Sequence, residues 1–170
     1  MTGRRKQSEI NVKVGDIFEI PILYGRRGFG QVIVAGDVLY VVIFENLYPD
    51  VPDLDQLIGS SLLFAGWTLD ALLFHGRWRI VGNRPPDMQR VPFPSYKVLI
   101  DGKMHVYDFQ SRDYRLATRE DNEVLELKTT VAPIRYQNAL IAHHGMAKWD
   151  PDYDKLTIEH AKRRVRRLLG

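Results

Sequence analysis

The sequence predicts an α+β fold: an N-terminal antiparallel meander in a bent sheet or SH3-like barrel, with further strands and two or three helices packed around it. Three observations carry this expectation. Residues 16–44 contain three apolar runs separated by turn signals. Residues 61–83 concentrate large apolar side chains. Of the 22 residues from Ser61 to Gly82, 13 are apolar, and Trp67 and Trp78 are among them. The strongest helical patterns come late, at 131–144 and 157–169.

One domain is the simplest organisation for 170 residues. We expect a flexible basic N-terminus over 1–11, a single globular domain over 12–154 and a basic amphipathic C-terminal helix over 155–170. A chain of this length buries roughly 70% of its unfolded surface, enough for a core without staples. There are no cysteines, which excludes disulfides, thiolate metal sites and cysteine nucleophiles and fits a reducing cytoplasm. The longest uninterrupted apolar run, Val38–Phe44, is seven residues, far short of the roughly 20 needed for a membrane helix. Arg4, Arg5 and Lys6 precede no apolar stretch, so no secretory signal is expected.

Asp16–Ile22 alternates as a strand, with Ile17, Glu19 and Pro21 on one face and Phe18, Ile20 and Ile22 on the other. Tyr24–Gly30 is read as a turn, Gln31–Ala35 as a second strand, and Gly36–Asp37 as the turn into Val38–Phe44. A short helix over 53–58 follows, with Asp53 as its cap. In the central stretch, Leu62–Phe64 reads as a buried strand. Thr68 reads as the cap of a helical turn that places Leu69, Leu72 and Leu73 on one side, and Trp78–Val81 as a further strand. Pro85, Pro86, Pro92 and Pro94 mark 84–94 as a surface connection.

Tyr96–Ile100 and Met104–Phe109 form a hairpin pattern across Asp101–Gly102, and 112–116 adds a strand. Thr118 and Asp121 have the spacing of a capping pair for a short acidic helix reaching about Leu127. Val131–His144 is the clearest helix, with Pro133 near its start and Gly145 after its end. Ile134, Ala139, Leu140 and Ile141 are its expected buried face. Trp149 anchors the chain after it. Thr157–Leu169 places Ile158, Ala161, Val165, Leu168 and Leu169 on one stripe, opposite five basic residues.

Several patterns touch on chemistry without specifying it. GRRGFG at 25–30 has the glycine density of a phosphate loop, but a strand follows where such a loop needs a helix, so a hairpin turn is expected. His75, His105, His143, His144 and His160 show no metal-ligand spacing. Asp70 and His75 flank one turn and could do acid–base work in a small hydrolase. No nucleophile elbow accompanies them, and capping and packing roles account for both.

The formal net charge of +3 hides an uneven distribution. Eight of the 24 basic residues lie in 4–6 and 162–167, where there are no acids. Residues 7–161 therefore carry 16 basic against 21 acidic groups, a net −5. A basic pI points to nucleic acid, but here only the ends support it, chiefly the KRRVRR run of 162–167. That run equally describes the solvated face of a docked helix. Glu45–Gln56 holds four carboxylates and no base. It is either a solvated loop or a docking face, in which Glu45, Tyr48, Asp50, Val51, Asp53, Leu54 and Asp55 combine apolar anchors with charge.

At KVGDIFEIP (13–21), GFGQV (28–32) and above all LLFAGWTLDALLFHGRWRIVGN (62–83), the chain resembles the immunity protein 26 family of bacterial polymorphic toxin systems, over roughly residues 12–155. The resemblance implies a cytoplasmic antidote that binds a cognate toxin protein and blocks it without catalysis or cofactor. It implies no residue-level site, and the basic tail is not part of it. An acidic body would steer such an antidote toward a basic, nucleic-acid-cutting toxin. Two rival readings are a nucleic-acid-binding module using the basic ends and a hydrolase using Asp70 and His75.

Overall fold

The computed structural model of the chain describes residues 11–108 and 113–169, with side chains as far as Val165. The expected flexible segment 1–11 therefore lies outside the described residues, apart from Asn11. So do the side chains of Arg166, Arg167, Leu168 and Leu169.

The first three strands, β1 (Asp16–Pro21), β2 (Arg27–Val34) and β3 (Leu39–Phe44), form the expected antiparallel meander. The turn between β1 and β2 is tighter than read from its glycines, because Arg27 already pairs with Pro21 and both Gly28 and Gly30 lie inside β2. Strand β4 (Leu62–Thr68) continues the meander beside β3. Strand β5 (Arg79–Asn83) returns to pair with β1. A two-residue parallel strand, β9 (Thr130–Val131), joins β4, so the order is β5-β1-β2-β3-β4-β9. Register shifts in the β1–β5, β2–β3 and β3–β4 pairings bend this sheet. Strands β5 and β9 remain at opposite edges. The architecture is therefore the bent sheet, not a closed SH3-like barrel.

A second sheet, β6 (Tyr96–Ile100), β7 (Lys103–Asp108) and β8 (Asp113–Leu116), realises the expected hairpin and its added strand. Among the described residues, five α-helices accompany the sheets: α1 (Leu54–Ile58), α2 (Ala71–Phe74), α3 (Arg119–Val124), α4 (Pro133–His143) and α5 (Ile158–Leu169). A 3-10 helix, Pro151–Leu156, leads into α5.

Strand β3 is buried at every position, and its alternation divides the core. Val41 and Ile43 face α4, where Tyr136, Ala139 and Leu140 pack against them. Burying a side chain the size of Leu140 contributes about 1.5–3 kcal/mol. Tyr40 and Val42 face the opposite side, covered by Val91, Phe93 and Ile158 of α5. Phe44 continues that side against Leu57 of α1. The centre of the sheet is thus the β2–β3 pair; of the two strands drawn from 61–83, β4 lies beside β3 and β5 lies beyond β1.

Trp78 links the elements. Its ring lies 4.9 Å from Phe18 and nearly parallel to it, and its indole N–H donates to Gln137 of α4 at 3.0 Å.

Four local readings change. Thr68 does not cap a helix. It is the last residue of β4, and its hydroxyl donates to the Val131 carbonyl at 2.7 Å. The cap position of α2 belongs to Asp70, whose side chain makes no capping bond, and Leu69 is exposed. The 84–94 connection is not only surface: Val91 is buried, and the Tyr40 hydroxyl donates to the Pro92 carbonyl at 2.7 Å. Four prolines suit both situations, because they limit the N–H groups needing partners. On α4, Ile134 is exposed and Tyr136 takes its place in the core. Helix α3 keeps its Thr118–Asp121 capping box but ends at Val124.

Candidate functional site

Residues 45–56 are held at both ends and in the middle. The Glu45 N–H donates to Ser61, and Tyr48 exchanges two backbone hydrogen bonds with Arg27, at 2.8 and 2.9 Å. The Tyr48 ring meets Phe29 edge-on at 5.8 Å. Asp53 caps α1 as expected, accepting from the backbone N–H groups of Asp55 and Gln56 at 3.0 Å. Leu54 fills the space that a side chain at Gly82 would occupy. Tyr48 and Leu54 thus belong to the cluster beneath the loop.

The carboxylates differ in their surroundings. Asp55 pairs with the Arg84 guanidinium at 2.7 Å. Glu45 meets His143 at 3.3 Å through its carboxylate, and its carbonyl lies 2.7 Å from His144 Nε2. The pair of histidines at the end of α4 therefore docks on the start of the acidic segment. Asp50 and Val51 are exposed, and Asp50 has no ion pair among the described residues. The outward surface of the segment is accordingly Asp50, Val51, Asp53 and Asp55.

The other candidates resolve into structure. GRRGFG is the β1–β2 turn and the start of β2. His75 closes α2 and packs against Phe74, and no hydrogen bond joins it to Asp70. Among the described residues, no group of three or more His, Asp or Glu could hold a metal. None of the helices is long and apolar enough to cross a membrane, among the residues described.

A concavity that sequence reading missed lies at the opposite end of α4. It has a volume of about 260 Å³ and is enclosed by β4, β6, the 126–131 segment, α4, the 3-10 helix and α5. The Lys128 ammonium lies 4.0 Å above the Trp67 ring and 5.2 Å from the Tyr96 ring. Burial pulls the Lys128 ammonium below its ordinary pKa. Arg164 contacts Glu126 at 3.4 Å. Burial pushes the Tyr40 phenol upward, with the nearby Arg164 charge opposing it. The only sequence signal for this cleft was the KRRVRR run, which supplies Arg164. Nothing in the local pattern around Lys128 marks it, because its neighbours come from distant segments.

A family model described as immunity protein 26 matches residues 13–103, more than half of the chain. The chain belongs to the immunity protein 26 family. The match runs from the approach to β1 into the first residue of β7, so it contains the acidic segment and all of 62–83. It ends well before residue 155, short of the extent the motifs implied. No curated protein and no solved structure matches the chain significantly. The family-matched portion of the chain supplies Trp67 and Tyr96 of the cleft lining, while Lys128, Arg135 and Arg164 come from beyond it.

Proposed function

We propose that this protein is an antidote that binds a cognate bacterial toxin protein in the cytoplasm and neutralises it by occupancy, without catalysis or cofactor. The observation that carries this reading is membership of the immunity protein 26 family. The acidic segment is the proposed contact face: Glu45, Tyr48, Asp50, Val51, Asp53, Leu54 and Asp55. Its construction supports the role. Tyr48, Leu54 and the Asp53 cap hold the backbone in place, so little order has to be imposed on binding. Asp50, Val51, Asp53 and Asp55 then meet the partner in a preset arrangement. A basic toxin, such as a nuclease, is the complementary partner, since its own substrate demands positive charge.

The test is a toxicity rescue. The neighbouring open reading frame is expressed alone and together with this protein, and the pair is then co-purified. Rescue with a stoichiometric complex supports the proposal. A neighbour that is toxic but neither rescued nor bound rejects it. A nucleic-acid-binding module would instead show affinity for nucleic acid that falls steeply with salt and is lost on removing 162–170.

A further inference from the structure

We propose that the cleft between β4, the 126–131 segment and α5 binds a small organic phosphate of about mononucleotide size. Charge is the first argument. The charged lining comprises the cations Lys128, Arg135, Lys155 and Arg164 and the carboxylates Glu126 and Asp152, with His160 beside them. With the imidazole neutral, the cleft is net positive, whereas the 7–161 body is net negative.

Those cations are only loosely engaged by the carboxylates around them. Lys155 and Asp152 meet only at 4.0 Å, and Arg164 and Glu126 at 3.4 Å. Arg135 lies over the Tyr153 ring at 5.2 Å. Lys128 is half-buried, packs on Trp67 and has no carboxylate within ion-pair distance among the described residues. A partly desolvated ammonium without a counter-charge is poised to receive an anion. A phosphate monoester, with nearly two charges and three acceptor oxygens, can engage several such donors at once, and a single carboxylate engages fewer.

Size and lining identify the rest of the ligand. A volume of about 260 Å³ falls just below the roughly 300 Å³ at which drug-sized sites begin, so a folded partner or a duplex is too large. Trp67 and Val131, both partly exposed, line the cleft beside the cations, whereas Tyr96 is buried. Inorganic phosphate alone would leave that partly exposed apolar surface uncovered, whereas an attached organic group would cover it.

The experiment is isothermal titration of the full chain with each of the four ribonucleoside monophosphates, the matching nucleosides and inorganic phosphate. At least one monophosphate is expected to bind saturably, about tenfold or more tighter than its nucleoside and than inorganic phosphate. Lys128→Met keeps the aliphatic stem over Trp67 and is expected to weaken that binding about tenfold, with the ligand-free melting temperature unchanged. Arg164→Gln provides a second variant should Lys128→Met fold poorly, and the same weakening is expected. No saturable binding of any monophosphate overturns the proposal. So does binding that both variants leave intact, or inorganic phosphate binding as tightly as the best monophosphate. None of these readouts involves the toxin, so the antidote reading stands or falls separately.

Discussion

Leu140 of α4 stands so close over Gly28 of β2 that a methyl group at position 28 would collide with its Cδ2 atom. The helix rests directly on strand backbone at this point, and the missing side chain sets how near it can come. Gly28→Ala forces either Leu140 off its rotamer or α4 away from the sheet. The expected cost is about 1–3 kcal/mol, read as a lower urea midpoint at unchanged slope. Adding Leu140→Ala to Gly28→Ala should destabilise by less than the sum of the two single changes, because the collision is then gone.

Trp78 joins β1 to α4 through its stack on Phe18 and its hydrogen bond to Gln137. Trp78→Phe keeps an aromatic ring but removes the N–H and part of the buried volume. A loss of about 2 kcal/mol is expected in equilibrium unfolding, together with a changed near-ultraviolet dichroism signal. Unchanged stability would mean that the stack and bond contribute nothing net.

Asp121 receives the Arg115 guanidinium as well as the Thr118 backbone and hydroxyl, and these hold its carboxyl well below the usual carboxylate range, against some opposing desolvation. Its folded pKa lies below its unfolded value, so its stabilisation is fully present above about pH 4 and is lost as pH falls through the folded pKa. Asp121→Asn should cost about 1 kcal/mol at neutral pH, from the cap and the exposed pair together. The gap between variant and parent should narrow as acid is added below pH 4. A gap independent of pH would show that charge plays no part.

The acidic segment can be tested without unfolding it, provided the cap is respected. Asp53→Lys would remove the acceptor that starts α1, whereas Asn preserves it. The double change Asp50→Lys with Asp53→Asn therefore isolates surface charge. It is expected to slow association with the proposed toxin partner about tenfold at low salt, with the difference shrinking as salt is added. Equal association rates at low salt would remove this segment from the contact face.

Much of the fold was legible because its signals are local. Alternation over 16–44 identified the meander, and paired turn residues identified the Asp101–Gly102 hairpin. Asp53 and Thr118 announced their helices through side chains that reach backbone two or three residues away. The misreadings share a different cause. Thr68 reads as a cap from sequence, but its hydroxyl was claimed by Val131, 63 residues away. Ile134 reads as core, yet the surface of α4 that meets the sheet is the one bearing Tyr136 and Leu140. Of the acidic segment, the sequence showed composition but not orientation: Tyr48 and Leu54 turn inward, while Asp50 and Val51 remain outside.

By itself, then, the sequence determined most of the secondary elements, the Asp53 and Thr118 caps, the separation of acidic body from basic ends, and the immunity protein 26 signature. Each depends on residues within a few positions of one another, where backbone geometry leaves few alternatives. Only the tertiary structure decided that the sheet stays open, that His143 and His144 meet Glu45, and that Lys128 lies on Trp67 beside Arg164. Those arrangements bring together segments tens of residues apart, and which of them meet is set by how whole faces pack rather than by any local preference.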